Sequence, residues 1–173
     1  MRLLACEWLL SGSRIASLIV RIWGHDIERA QIYGKPCRSD LGLQRMDQHH
    51  QLALWAADCA DRVLAVFEAE CAGDARPRQA IEAARRWQSG NMPMVTARKM
   101  AFAAHAAARE PISKAAVAAA RAAGHAAATA HVATHAPHAA NYARKARAAL
   151  GANPDTERKW QIERLPDVLR HLA

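Results

Sequence analysis

Between residues 124 and 143 the chain reads GHAAATAHVATHAPHAANYA, four histidines set into a run of alanine. An imidazole can ligate a metal, carry a proton near neutral pH, or hold a neutral hydrogen bond inside a core. Spacing separates these uses. At about 100° per residue, His131 and His135 fall about 40° apart on one helical face, an i,i+4 pair able to grip zinc. His125 lies about 120° round from His131, and His138 returns to within about 20° of it if one helix runs through Pro137. A histidine zinc site needs a third ligand, and His138 stands behind a proline that disturbs the backbone. No glutamate follows His131, so the H-E-x-x-H arrangement is missing, as is the Cys/His spacing of a structural zinc site. His131 and His135 are the pair to consider as metal ligands. The set is incomplete, and the expectation is no metal and no other cofactor.

A pH switch would need two alternative packings as well as histidines, and the sequence shows only the residues. The architectural use fits the composition best. Neutral imidazoles in an alanine seam can reach Tyr142, Thr129, Arg121, Asp58 or a neighbouring helix end and fix a register that alanine leaves slippery. His105, in FAAH, suits the same task. The polar residues expected to pin the core or to rim a binding surface are Asp58, Arg62, His105, Arg109, Arg121, His125, His131, His135, Tyr142 and Lys145. Asp58 with Arg62, and Arg78 with Glu82, stand one helical turn apart and read as local ion pairs. No nucleophile elbow, phosphate loop or dinucleotide glycine pattern occurs, so no enzymatic activity is expected.

The elements that must position these residues are helices. Residues 1–45 fit no period, are broken by Gly34-Lys-Pro36, and read as an irregular N-terminal arm preceding a domain at 46–173. From Asp47 to about Glu70, Leu52, Trp55, Cys59, Val63 and Val66/Phe67 recur at three- and four-residue steps. Pro77 opens a second helix in the position proline favours. Pro93 opens a third, running to about Arg109. Ser113 caps a fourth, running to about His135, after which Pro137 either kinks it or starts a fifth. Asp155 to Ala173 reads as a final helix with a bend at Pro166. No stretch alternates with period two. The fold class is all-α, an alanine-rich bundle of five or six helices.

Of the 173 residues, 24 are Lys or Arg and 16 are Asp or Glu, a net charge of +8. The excess is concentrated: residues 111–150 hold Lys114, Arg121, Arg144, Lys145 and Arg147 and no acid. Such a zone suits an acidic partner, whether nucleic acid, an anionic surface or an acidic protein. The loose helix–turn–helix around Ser89-Gly-Asn91 carries no base-reading face in Val95–His105. The four cysteines are scattered without a C-x-x-C pair, and Cys59 and Cys71 would stand about 18 Å apart on one helix. A reducing cytoplasm is the expected compartment. Leu3–Trp23 is interrupted by Glu7, Arg14 and Arg21, so no membrane span is expected.

Six stretches together carry a family likeness: LWAADCADRVLAVFE (54–68), RPRQAIEAAR (76–85), AFAAHAAAR (101–109), AAARAAGHAAATAHVATH (118–135), YARK (142–145) and ERKWQIERLP (157–166). In this order they resemble the bacterial immunity proteins of the "five-like" class over roughly residues 47–173. Pro137-His138 departs from the small residues expected there. The resemblance implies a non-catalytic protein that binds and neutralises a cognate toxin, and it supplies no catalytic residues to carry over. Nucleic acid is the alternative partner.

Overall fold

The computed structural model describes residues 38–166, 169 and 170. The arm expected over 1–45 lies, as far as residue 37, outside the described residues. By its internal contacts the chain divides into units Met1–Gln44 and Arg45–Ala173, and the second unit is the helical bundle. Six helices, and no strand among the described residues, make up the fold: α1 (Arg38–Glu70), α2 (Arg76–Gln88), α3 (Met94–Ala107), α4 (Lys114–Ala128), α5 (His135–Ala149) and α6 (Pro154–Arg164).

Helix α1 supplies most of the bulk. Its stripe of Leu52, Trp55, Cys59, Val63 and Phe67 is buried, and Gly73, at φ 90°, ends the approach to the next turn. Asp74 then accepts hydrogen bonds from the Arg76 backbone N–H (3.1 Å) and guanidinium (2.8 Å), fixing the entry to α2, where Pro77 occupies the first turn. Helix α3 buries only Ala97, Ala101, Ala104 and Ala107. Helix α4 buries nine alanines and Gly124 and packs against α2, α3 and α5. Alanine has the best intrinsic helix propensity, and its small side chain sets helix axes at the short end of the packing range. The result is a main core in which the α1 stripe packs with buried alanines, Leu165 and Leu169, beside a small second cluster of Ala83, Ala97 and Ala130.

Several helix boundaries differ from expectation. The fourth helix stops at Ala128, not near His135. There the hydrogen bonding tightens, with Ala130 and His131 N–H donating to Ala127 and Ala128 carbonyls, and Thr129 Oγ1 donates to the His125 carbonyl at 3.0 Å. Such three-residue bonds belong to the tighter helical turn that ends many α-helices. Of the two roles open to Pro137, the structure takes the second. It is the third residue of α5, where a missing N–H breaks no helical bond. The last helix ends at Arg164 and does not continue past a bend, because Leu165 precedes Pro166 and adopts an extended backbone (φ −75°, ψ 130°). The first helix also begins earlier than the pattern indicates, at Arg38, and the third ends two residues sooner, at Ala107.

Candidate functional site

The early end of α4 decides what the histidines meet. The chain turns back over residues 129–134 and starts α5 at His135, so His125 and His135 face each other across two helices. Their Nδ1 atoms are 3.3 Å apart, a contact that one N–H···N hydrogen bond between neutral rings of complementary tautomer satisfies. His138 approaches from the next turn of α5, with ring centroids 5.3 Å from His125. His105 meets His125 edge-on from α3 at 4.9 Å. Tyr142, one turn beyond His138, stacks on His125 at 5.2 Å and 13°. Three imidazoles and a phenol from two helices thus surround the His125 ring.

Gly124 makes this approach possible. A Cβ there would stand 2.6 Å from Cε1 and Nδ1 of His105, far inside van der Waals contact. The turn is tied to α1 as well: His49 Nε2 bonds the carbonyl of fully buried Thr129. His49 and His50 in turn flank Trp87 of α2, each ring 4.8 Å from it.

Electrostatically the cluster rejects protons. His125 is pushed down to about 4, first by burial and then by His105, His135, His138 and Arg121. Burial also lowers His105, with Arg121 and His135 adding to it, and burial lowers His135, with His138 and His131 adding. Nδ1 of His105 is buried without a partner. No carboxylate orients any of these rings, so the donor-and-acceptor relay of a general base is missing from the cluster. Among the described residues no three His, Cys, Asp or Glu side chains stand so as to hold a metal ion.

His131, set against His135 by the helical wheel, lies in the exposed turn after α4, so the pair does not share a helix face. The sequence-predicted polar residues therefore separate into groups. His105, His125, His135 and Tyr142 come together, with Arg121 near enough to act on His105 and His125. Lys145 joins them through Tyr142, its Nζ 4.8 Å from the ring centroid. Arg109 is exposed just past α3.

Asp58 and Arg62 form a second centre, though not with each other. Arg85 of α2 bridges Asp58 (3.0 Å) and Asp61 (3.1 Å), while Arg62 pairs with Glu157 of α6 at 3.1 Å. Likewise Arg78 pairs with Glu68 of α1 and not with Glu82. The expected local pairs are replaced by bridges between helices, because each arginine can reach a carboxylate on the neighbouring helix with its guanidinium fork. Glu157 is 2% exposed and also receives Arg147 at 3.9 Å. Gln161, one turn on, donates to the Ala140 carbonyl (3.0 Å) and its own carbonyl accepts from Trp55 Nε1 (2.8 Å). Trp160 lies between the guanidinia of Arg62 (4.1 Å) and Arg164 (4.5 Å).

Sequence reasoning missed Glu157, Gln161 and His49. The signal for Glu157 and Gln161 is only negative: α6 has few aliphatic residues to dock it, so polar groups at i,i+4 do so.

The described residues thus form a helical scaffold in which the polar groups of the second centre bridge helices, with basic residues gathered on α4 and α5. The family described as "Imm-5 like putative immunity protein" matches residues 42–168, and the chain belongs to that family. No curated protein and no solved structure matches it.

Proposed function

We propose that this protein is an immunity protein in the working sense: it binds a cognate bacterial toxin in the cytoplasm and neutralises it by occlusion, without catalysis. The observation that carries this reading is the extent of the family match, whose residues 42–168 take in nearly the whole described bundle, both polar centres included. Supporting it, the histidine cluster lacks an orienting carboxylate. The α4–α5 face also keeps cations that face no acid: among the described residues neither Lys114, Arg121 nor Lys145 forms an ion pair. Such a face speeds encounter with an acidic partner and selects against basic ones. Among the described residues, no helix is long and apolar enough to cross a membrane.

The test is affinity capture of the tagged protein from its host, with and without nuclease, at low and moderate salt. The captured protein is then co-expressed with the chain in a growth assay. A protein that survives nuclease treatment, and whose toxicity the chain relieves, is the expected result. Capture that disappears with nuclease would transfer the assignment to nucleic acid, whose binding falls steeply with salt.

A further inference from the structure

Where α4 begins, the surface holds a groove of about 350 Å³ lined by Ile112, Lys114, Val117, Ala118, Tyr142 and Lys145. Its floor is apolar and its two charged groups are lysines. Ile112 is 96% exposed, the most exposed of the large apolar side chains among the described residues. It is nevertheless held in place. Glu70, at the end of α1, accepts hydrogen bonds from the backbone N–H of Ile112 (2.5 Å) and Ser113 (3.1 Å) and from Ser113 Oγ (2.5 Å). Ser113 Oγ in turn caps α4 by accepting from the Ala116 N–H. A rigid loop that holds an isoleucine out in water gives up hydrophobic stabilisation. A preorganised contact recovers it on association, because little ordering remains to be done.

Charge fixes the kind of partner. Residues 111–150 contain no acid. The carboxylates adjoining the loop in sequence or by hydrogen bond are engaged: Glu70 in the loop clamp, and Glu110 with Arg76 at 3.6 Å. A basic segment would meet Lys114 and Lys145 with nothing to offset the repulsion. A purely acidic one would leave Ile112 and Val117 unused.

We propose that this groove seats one aliphatic side chain of the toxin, flanked by carboxylates that pair with Lys114 and Lys145. The assignment of the occupant rests on the toxin-binding reading above. Tyr142, shared by the groove and the histidine cluster, makes the floor rigid, since its ring is stacked on His125.

The groove is tested by methyl and amide NMR on the full chain with three end-blocked peptides: leucine between glutamates, glycine between the same glutamates, and leucine between lysines. The expected result is saturable shifts at Ile112, Val117 and Ala118 with the glutamate–leucine peptide alone, weakening roughly threefold or more as the Debye length shortens with added salt. Ile112→Ser, and separately the pair Lys114→Glu with Lys145→Glu, should each weaken it about tenfold or more, the loss expected of about 1.4 kcal/mol. Phe102→Ser, on the exposed face of α3, should leave it unchanged. Equal shifts with all three peptides, shifts located elsewhere, or none at millimolar peptide would overturn the groove. A chain that relieves toxicity in cells yet ignores every peptide keeps its function and loses this site. Peptide binding by a chain that relieves no toxicity overturns the toxin as occupant.

Discussion

Acidification should loosen this bundle well before its carboxylates are protonated, and the histidine cluster is the reason. A histidine whose folded pKa is depressed binds fewer protons folded than unfolded between the two values. Its contribution to stability is fully present above the unfolded value near 6.5 and is lost as pH falls toward the folded value of about 4. The interval from 6.5 to about 4 corresponds to a ceiling of about 3.4 kcal/mol for His125 at about 1.36 kcal/mol per unit. The ring is only half-buried, so solvent screening reduces the expected loss to roughly 1–2 kcal/mol. His105 and His135 shift in the same direction and add to it.

The assay is urea unfolding at closely spaced pH values from 7.5 to 4.5, with NMR titration of the histidine ring protons beside it. Asp74 and Glu70, whose carboxyls are held below the usual range by hydrogen bonds to Arg76 and Ser113, keep their charge throughout this window. They add slope only at the acid end of the window, where the same carboxyls of the unfolded chain, with ordinary values of 3.8 and 4.5, begin to bind protons. His125→Phe retains a ring against Tyr142 and removes the central proton site, and should flatten the pH dependence. A wild-type stability that stays level from pH 7 to 4.5, or a His125 that titrates at 6.5, would refute the argument.

Three further outcomes are expected. Gly124→Ala, which in an ordinary helix interior would stabilise by up to about 1 kcal/mol, should here destabilise by about 1–3 kcal/mol through overpacking against His105. Thermal unfolding of that variant, alone and combined with His105→Ala, should show the penalty largely relieved in the double variant. Glu157→Gln should cost about 1–3 kcal/mol in chemical denaturation by weakening charge-assisted bonds to Arg62, with the larger loss in α6 amide protection. Cys59, buried and with its thiol pushed up by burial and by Glu157 and Asp58, should resist alkylation in the native chain and react after unfolding, as read by peptide mass mapping.

What the sequence made legible follows from which physical signal each element carries. The α1 stripe was readable because large side chains at Leu52, Trp55, Cys59, Val63 and Phe67 mark a face unambiguously, and prolines at 77 and 93 mark entries. The end of α4 was not, since alanine continues the helical pattern past Ala128 and the stop is set by Thr129 and the tightened turn, neither of which periodicity detects. That one boundary removed the His131–His135 pair and created the His125–His135 contact instead. Asp58 and Arg62 were recognisable as polar anchors, but their partners lie 27 and 95 residues away. A helical wheel shows which residues share a face of one helix, and it says nothing about arginine forks reaching to the next.

The sign of the charge carries the last step. A protein that blocks a nucleic-acid-cleaving toxin by imitating its substrate would have to be acidic. This chain, at +8, would be drawn toward nucleic acid itself. On the toxin-binding reading proposed above, recognition would therefore not rest on imitation of nucleic acid. The acids of the described bundle are largely engaged within it: Glu157 with Arg62, Asp58 and Asp61 with Arg85, Glu68 with Arg78, and Glu70 with the Ser113 loop. What faces outward unpaired on α4 and α5 is lysine beside aliphatic surface. On the groove proposal, selection of a partner would depend on an acidic and apolar counter-surface, and on keeping the alanine helices in register so that Ile112, Lys114 and Lys145 keep their spacing. We propose that the histidines serve that second requirement. They give a core of small, interchangeable side chains one arrangement in which every ring fits, and Gly124 is the position at which a single methyl group would break it.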